Sequence, residues 1–106
     1  MDVEKQEDII SKYPVIFQDI EYIQCGNGWY NMIDILCSEI NNHLKENKEV
    51  EPVIAQQVKN KFGGLRFYYY GGDNITDSLI SMMESLSLYV CHECGRSKDS
   101  KEKLLS

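Results

Sequence analysis

The chain has 106 residues, 42% hydrophobic and 26% charged, with a net charge of −6. This size suits a single domain, 1–106, with one core, and the acidic balance argues against long nucleic acid, whose affinity is built from many phosphate contacts. No apolar run approaches the roughly 18 residues that span a bilayer, and the acidic start, Met1 to Asp8, lacks the apolar core of a secretory signal.

A cytoplasmic location is therefore expected, in which Cys25, Cys37, Cys91 and Cys94 are thiols or metal ligands rather than disulfides. The charge is uneven. Residues 1–50 carry ten acids against four bases, whereas residues 51–72 carry Glu51 against Lys59, Lys61 and Arg66. The middle of the chain is a basic island in an acidic protein, which leaves room for local capture of a small anion.

Residues 3–13 place Val3, Ile9, Ile10 and Tyr13 among charges, a weakly amphipathic helix that ends before Pro14. Val15-Ile16-Phe17 is an apolar anchor. Residues 18–25 alternate imperfectly, with Ile20, Tyr22 and Gln24 opposite Asp19, Glu21, Ile23 and Cys25, and suggest a short strand. Cys25-Gly26-Asn27-Gly28 reads as a turn in which Asn27-Gly28 supplies positive φ. From about 29 to 46, Trp29, Met32, Ile33, Leu36, Cys37, Ile40 and Leu44 recur at spacings of three and four, the signature of an amphipathic helix.

Residues 53–62 fit two elements. Ile54, Val58 and Phe62 share one face of a helix closed by Gly63, and they also share one face of a strand. The strand is favoured, because Leu65–Tyr70 is a strong β sequence and Gly63-Gly64 would serve as a two-residue hairpin turn. Gly71-Gly72-Asp73 breaks the second strand. Asn74 would cap a helix from about 75 to 90, with Asp77 completing a capping-box arrangement. Its apolar stripe is Ile75, Leu79, Met82, Met83, Leu86, Tyr89 and Val90. Residues 96–106 are expected to form a flexible tail. The expected fold is α+β: an antiparallel sheet with a central hairpin, about 53–70, packed by helices at about 29–46 and 75–90.

A Gly63-Gly64 turn sets a register in which Phe62 faces Leu65, Asn60 faces Phe67 and Val58 faces Tyr69, on the side turned to the core. The other side places Lys61 opposite Arg66, Lys59 opposite Tyr68 and Gln57 opposite Tyr70. Like charges directly opposite on a sheet repel by a few tenths of a kcal/mol, so an anion between them would account for their presence. Arginine offers bidentate contacts to phosphate, and tyrosine offers a stacking face. Lys59, Lys61, Arg66, Tyr68 and Tyr70 are accordingly the candidate ligand-binding residues for a nucleotide-like anion. The bland alternative is a solvated strand face whose lysines discourage edge-to-edge aggregation. The glycines are turn residues, since neither GxGxxG nor GxxxxGK[ST] occurs.

Cys91-x-x-Cys94-Gly95 has the spacing of half a zinc knuckle, so Cys91 and Cys94 are candidate metal ligands for a structural zinc. No second CxxC follows. Cys25, Cys37, His43, His92 or a second chain would complete the site, and the alternative is two unligated thiols at a helix end. Cys37 on the apolar helix stripe is most simply a small core residue. A redox CxxC normally opens a helix, and this one closes a helix. Neither histidine has a nucleophile partner by motif, Asp34 and Glu39 are expected to be solvated rather than a catalytic carboxylate pair, and no enzyme signature emerges.

Tyr13-Pro14-x-Ile16-Phe17, Cys25-Gly26-Asn27-Gly28-Trp29-Tyr30, Gln57 to Tyr68 with its Lys61-Phe62-Gly63-Gly64-Leu65-Arg66-Phe67-Tyr68 segment, and Cys91-x-x-Cys94-Gly95 together resemble a family of small uncharacterised phage and prophage proteins. That family often continues to a second cysteine pair. The resemblance implies expression in a bacterial host cytoplasm and supplies no catalytic residues. The resulting expectation is a non-enzymatic phage accessory, anti-defence protein that sequesters a small nucleotide-derived host signal, as a possible homo-oligomer. The alternatives are a protein-binding inhibitor of a host defence factor and a zinc-knuckle nucleic-acid module.

Overall fold

Apolar residues at helical spacing from 30 to 46 form the longest element of the computed structural model, which describes residues 1–98. The elements in order are α1 (Val3–Lys12), a 3-10 turn (Asn27–Trp29), α2 (Tyr30–Glu46), β1 (Ile54–Lys61), β2 (Gly64–Tyr70) and α3 (Asn74–Ser87). This is the expected α+β fold; α3 packs against the β-hairpin and α2 packs in turn against α3. Among the described residues, no helix is long and apolar enough to cross a membrane.

The core is drawn from every element. α2 buries Met32, Ile33, Leu36, Cys37 and Ile40, the hairpin buries Val58, Leu65 and Phe67, and α3 buries Ile80 and Met83. Ile9 of α1 and the irregular residues Ile16, Phe17 and Ile23 close one side. Trp29, 0% exposed, is the largest fully buried side chain. Truncating such a residue to alanine costs about 3–5 kcal/mol.

Residues 53–62 are a strand, so the helical alternative is excluded. The turn, however, is Phe62-Gly63 rather than Gly63-Gly64. Both carry positive φ, 54° and 83°, as the primed two-residue turns that match strand twist require. Asn60 Oδ1 accepts from the Gly63 N–H at 3.0 Å. Gly64 instead opens β2 and is buried, with room for no more than an ideal Cβ 3.1 Å from Leu88 Cδ2.

The register therefore differs by two residues from expectation: Lys61 faces Gly64, Asn60 faces Leu65, Lys59 faces Arg66, Val58 faces Phe67 and Gln57 faces Tyr68. A two-residue shift leaves every side chain on its expected face, because strands repeat every two residues. Phe62 is the exception. Placed in the turn, it leaves the core and is 86% exposed. A bulge between Ala55 and Gln57 then brings Ala55 opposite Tyr69 and Ile54 opposite Tyr70.

A two-stranded hairpin is marginal alone, and here both of its edges are covered. Along β1, the Ala55 N–H donates to Ile16 O at 2.8 Å, the Gln24 N–H donates to Val58 O at 2.8 Å, and the Asn60 N–H donates to Gln24 O at 2.9 Å. Along β2, the Leu65 N–H donates to Ser87 Oγ at 2.7 Å and the Phe67 N–H donates to Glu84 Oε2 at 2.9 Å. The strand expected over 18–25 shrinks to a single parallel bridge, Gln24 with Lys59. Its exposed residues Asp19, Glu21 and Tyr22 gain nothing from further pairing.

The cap of α3 is Asp73, one residue earlier than expected. Asp73 Oδ1 accepts from the Ile75 and Thr76 N–H groups, and the Thr76 hydroxyl takes the reciprocal place expected of Asp77. α3 ends at Ser87 rather than near 90, because residues 88–90 turn back toward Trp29. Its stripe also divides. Thr76, Ile80, Met83 and Ser87 are buried, while Ile75, Met82 and Leu86 are exposed. Neither Asn27 nor Gly28 has positive φ. Their purpose is packing, described below.

Candidate functional site

Two sites were expected, the basic hairpin face and the cysteine knuckle, and the fold supports each from a different scaffold. On the hairpin, alternation turns Val58, Leu65, Phe67 and Tyr69 inward and leaves Gln57, Lys59, Lys61, Arg66 and Tyr68 on the opposite face. The inward anchor is strengthened by the Tyr69 hydroxyl, which donates to Asp77 Oδ1 at 2.6 Å. Burial and that carboxylate push the Tyr69 hydroxyl up to about 12, so it stays a donor.

On the outer face Lys59, rather than Lys61, is directly opposite Arg66. Lys59 Nζ lies 5.9 Å from the Tyr68 ring centroid. Tyr68 is 44% and Tyr70 56% exposed. Among the described residues, none of the ion pairs involves Lys59, Lys61 or Arg66. The structure thus brings Lys59, Arg66 and Tyr68 together, places Lys61 next to the tip, and leaves Tyr70 at the far end opposite Ile54. The face is open. Arg66 borders a depression shared with Ser81, Glu84, Ser85 and Leu88 of the α3 side, and Gln57 borders another with Asp19 and Glu21.

The second site is a clasp that the sequence did not reveal. The Cys25-Gly26-Asn27-Gly28-Trp29 turn and the Cys91–Gly95 turn, 66 residues apart, are packed backbone to backbone. The Gly26 N–H donates to His92 Nδ1 at 3.0 Å, the Gly28 N–H donates to His92 O at 2.7 Å, and Trp29 Nε1 donates to Val90 O at 2.8 Å. The Trp29 and His92 rings lie 5.5 Å apart. Gly28 is glycine because an added Cβ would lie 2.4 Å from both Cys91 O and the Gly95 nitrogen. Each motif was visible in the sequence, but nothing in one marks the other as its partner.

The knuckle itself is a tight turn. The Gly95 N–H donates to Cys91 O at 2.8 Å, the Cys91 N–H donates to Arg96 O at 2.9 Å, and Gly95 has φ 79°. The backbone N–H of Cys94, then that of Glu93, then the Cys94 side chain hydrogen-bond the Cys91 sulfur and hold its thiol below the usual cysteine range. The first tail residues are pinned rather than loose, since Val90 pairs with Ser97 and the Lys98 N–H donates to Tyr89 O at 2.8 Å. The rest of the expected tail, 99–106, lies outside the described residues. Between knuckle and hairpin tip is a cleft of about 410 Å³ lined by Asn60, Gly63, Cys91, Cys94, Arg96 and Lys98, among others.

Cys91 and Cys94 suit two positions of a thiolate metal site. The other candidates do not join them. Cys25 and Cys37 are core residues whose thiols are pushed up by burial, Cys25 to about 11. His43 Nε2 is 2.8 Å from Asp73 Oδ2, where it ties the end of α2 to the cap of α3. That contact, with the Thr76 N–H, holds the Asp73 carboxyl below its ordinary range. His92 spends Nδ1 on Gly26. Among the described residues, no group of three or more metal-ligating side chains converges. Asp34, set aside as a catalytic candidate, accepts from the Tyr13 hydroxyl at 2.5 Å and from Lys12 Nζ at 3.3 Å, a structural pairing of α1 with α2.

Comparison with known protein families, with curated proteins and with solved structures found no match for this chain.

Proposed function

We propose that the chain is a non-enzymatic binding protein that captures a small anionic, nucleotide-derived ligand on the outer face of the hairpin. The observation that carries this reading is Lys59 directly opposite Arg66, beside Tyr68, with no carboxylate partner among the described residues. A phosphate between the two cations relieves their repulsion, and Tyr68 offers a stacking surface for a base. Lys61 adds charge at the tip, and Tyr70 extends the aromatic surface. The acidic remainder of the chain limits binding to this island and disfavours long nucleic acid.

The resemblance to small phage and prophage proteins supplies the biological setting of the proposal: sequestration of a host defence signal in the host cytoplasm. An open face touches its ligand from one side, so the expected dissociation constant is on the order of 10–100 µM per chain. Isothermal titration with ADP-ribose and with a cyclic dinucleotide tests the reading. Binding of one of them, weakened about tenfold or more in Arg66→Ala through loss of a charged hydrogen bond, is expected. Silence with both, from folded protein at high micromolar concentration, overturns it.

A second reading is favoured by Phe62. A large apolar side chain, 86% exposed at the tip of a basic turn, is an anchor suited to a protein partner. In that reading the acidic surface of the chain and the hairpin together block a host defence factor. Pull-down from host lysate separates the two, since a sponge retains a small molecule and an inhibitor retains a stoichiometric protein.

A further inference from the structure

The cysteine turn is held far more firmly than two surface thiols require. Its backbone is clamped by Gly26, Gly28 and Trp29 on one side and by the Val90–Ser97 pairing on the other. Cys91 is partly exposed and Cys94 exposed, and both line the open cleft. Rigid, adjacent, outward-facing sulfurs on an N–H-lined turn are the arrangement that binds a borderline-soft divalent cation. Such a cation wants four ligands, and only two are present. Cys25 and Cys37 are locked in the core, His43 is paired with Asp73, and His92, which lines the cleft and accepts from Gly26 at Nδ1, does not converge with the two cysteines into a three-ligand group among the described residues.

We propose that Cys91 and Cys94 are half of a tetrathiolate zinc site, completed by Cys91 and Cys94 of a second copy of this chain. Four thiols release four protons to solvent as they bind, and the metal with its four thiolates keeps a charge of −2. Arg96 and Lys98 line the same cleft with Glu93, so the two copies together bring four cations against two carboxylates around that charge. The rest of each chain carries net negative charge and repels its twin. The pairing is therefore metal-dependent, with the two-fold axis passing through the ion. Nothing in this proposal depends on what the hairpin face binds.

The test uses the full chain under reducing conditions, titrated with Co²⁺ and then Zn²⁺ while mass is followed by sedimentation. The expected result is saturation at half a metal per chain, a Co²⁺ charge-transfer band of four-thiolate intensity, and a doubling of mass that EDTA reverses. Cys94→Ser, whose side chain is exposed and whose fold is checked through the buried Trp29, is expected to abolish both metal uptake and the mass change. One metal per chain on a monomer overturns the proposal, since the ligands then come from a single chain. No uptake by the reduced protein overturns it equally, as does a dimer that survives EDTA and Cys94→Ser.

Discussion

Phe62 is the residue whose conformation and environment both run against ordinary preference. Its φ of 54° lies in the left-handed region, which costs a non-glycine residue roughly 1–2 kcal/mol, and its ring is exposed rather than packed. Asparagine tolerates that backbone and would leave no apolar ring in water. Phe62→Asn is therefore expected to stabilise the fold by about 1 kcal/mol, raising the thermal midpoint by roughly 4–8 °C. The same variant separates the functional readings. Nucleotide capture by Lys59, Arg66 and Tyr68 survives it, whereas docking of a protein partner on the tip is lost. A lowered midpoint would show that Phe62 contributes packing that its exposure does not suggest.

At the scale of elements, the hairpin depends on neighbours that satisfy its outer backbone groups. Ser87 is fully buried, and its hydroxyl accepts from the Leu65 N–H. Ser87→Ala leaves that donor buried and unmatched, at a cost of about 1–3 kcal/mol, read from denaturant midpoints at unchanged slope. A loss below a few tenths of a kcal/mol would mean that water reaches the edge and α3 does not seal it.

The elements themselves were largely legible. Trp29 to Leu44 announces α2 through spacing alone, and Leu65–Tyr70 announces β2 through its aromatic content. Faces were legible where registers were not. A turn misplaced by one residue moved every partner by two positions, and strand parity carried Lys59, Lys61, Arg66 and Tyr68 to the expected side regardless. Phe62 was misread because a non-glycine residue took a position where glycine was expected. The cap at Asp73 was misplaced by one residue and the role of Ser87 left no signal for a related reason: short polar side chains act through single hydrogen bonds, which leave no periodic trace. The clasp of Gly26 and Gly28 on His92 was beyond reach, since two glycines in one loop say that something approaches closely and not what it is.

For the whole molecule, charge and topology divide the surface into regions of different character. The N-terminal half holds most of the acidity, the hairpin displays the unpaired cations, and the knuckle lies beyond the hairpin tip, across a cleft bordered by Asn60, Gly63 and Arg96. The outer hairpin face is the proposed anion-binding surface. Its most direct test is a two-dimensional amide NMR titration of the full chain with ADP-ribose and with a cyclic dinucleotide. One of them is expected to produce saturable shifts concentrated at Gln57, Lys59, Lys61, Arg66 and Tyr68, abolished by Arg66→Ala and weakened by added salt. Shifts centred instead on residues 91–98, or an unchanged spectrum with both ligands, would contradict it.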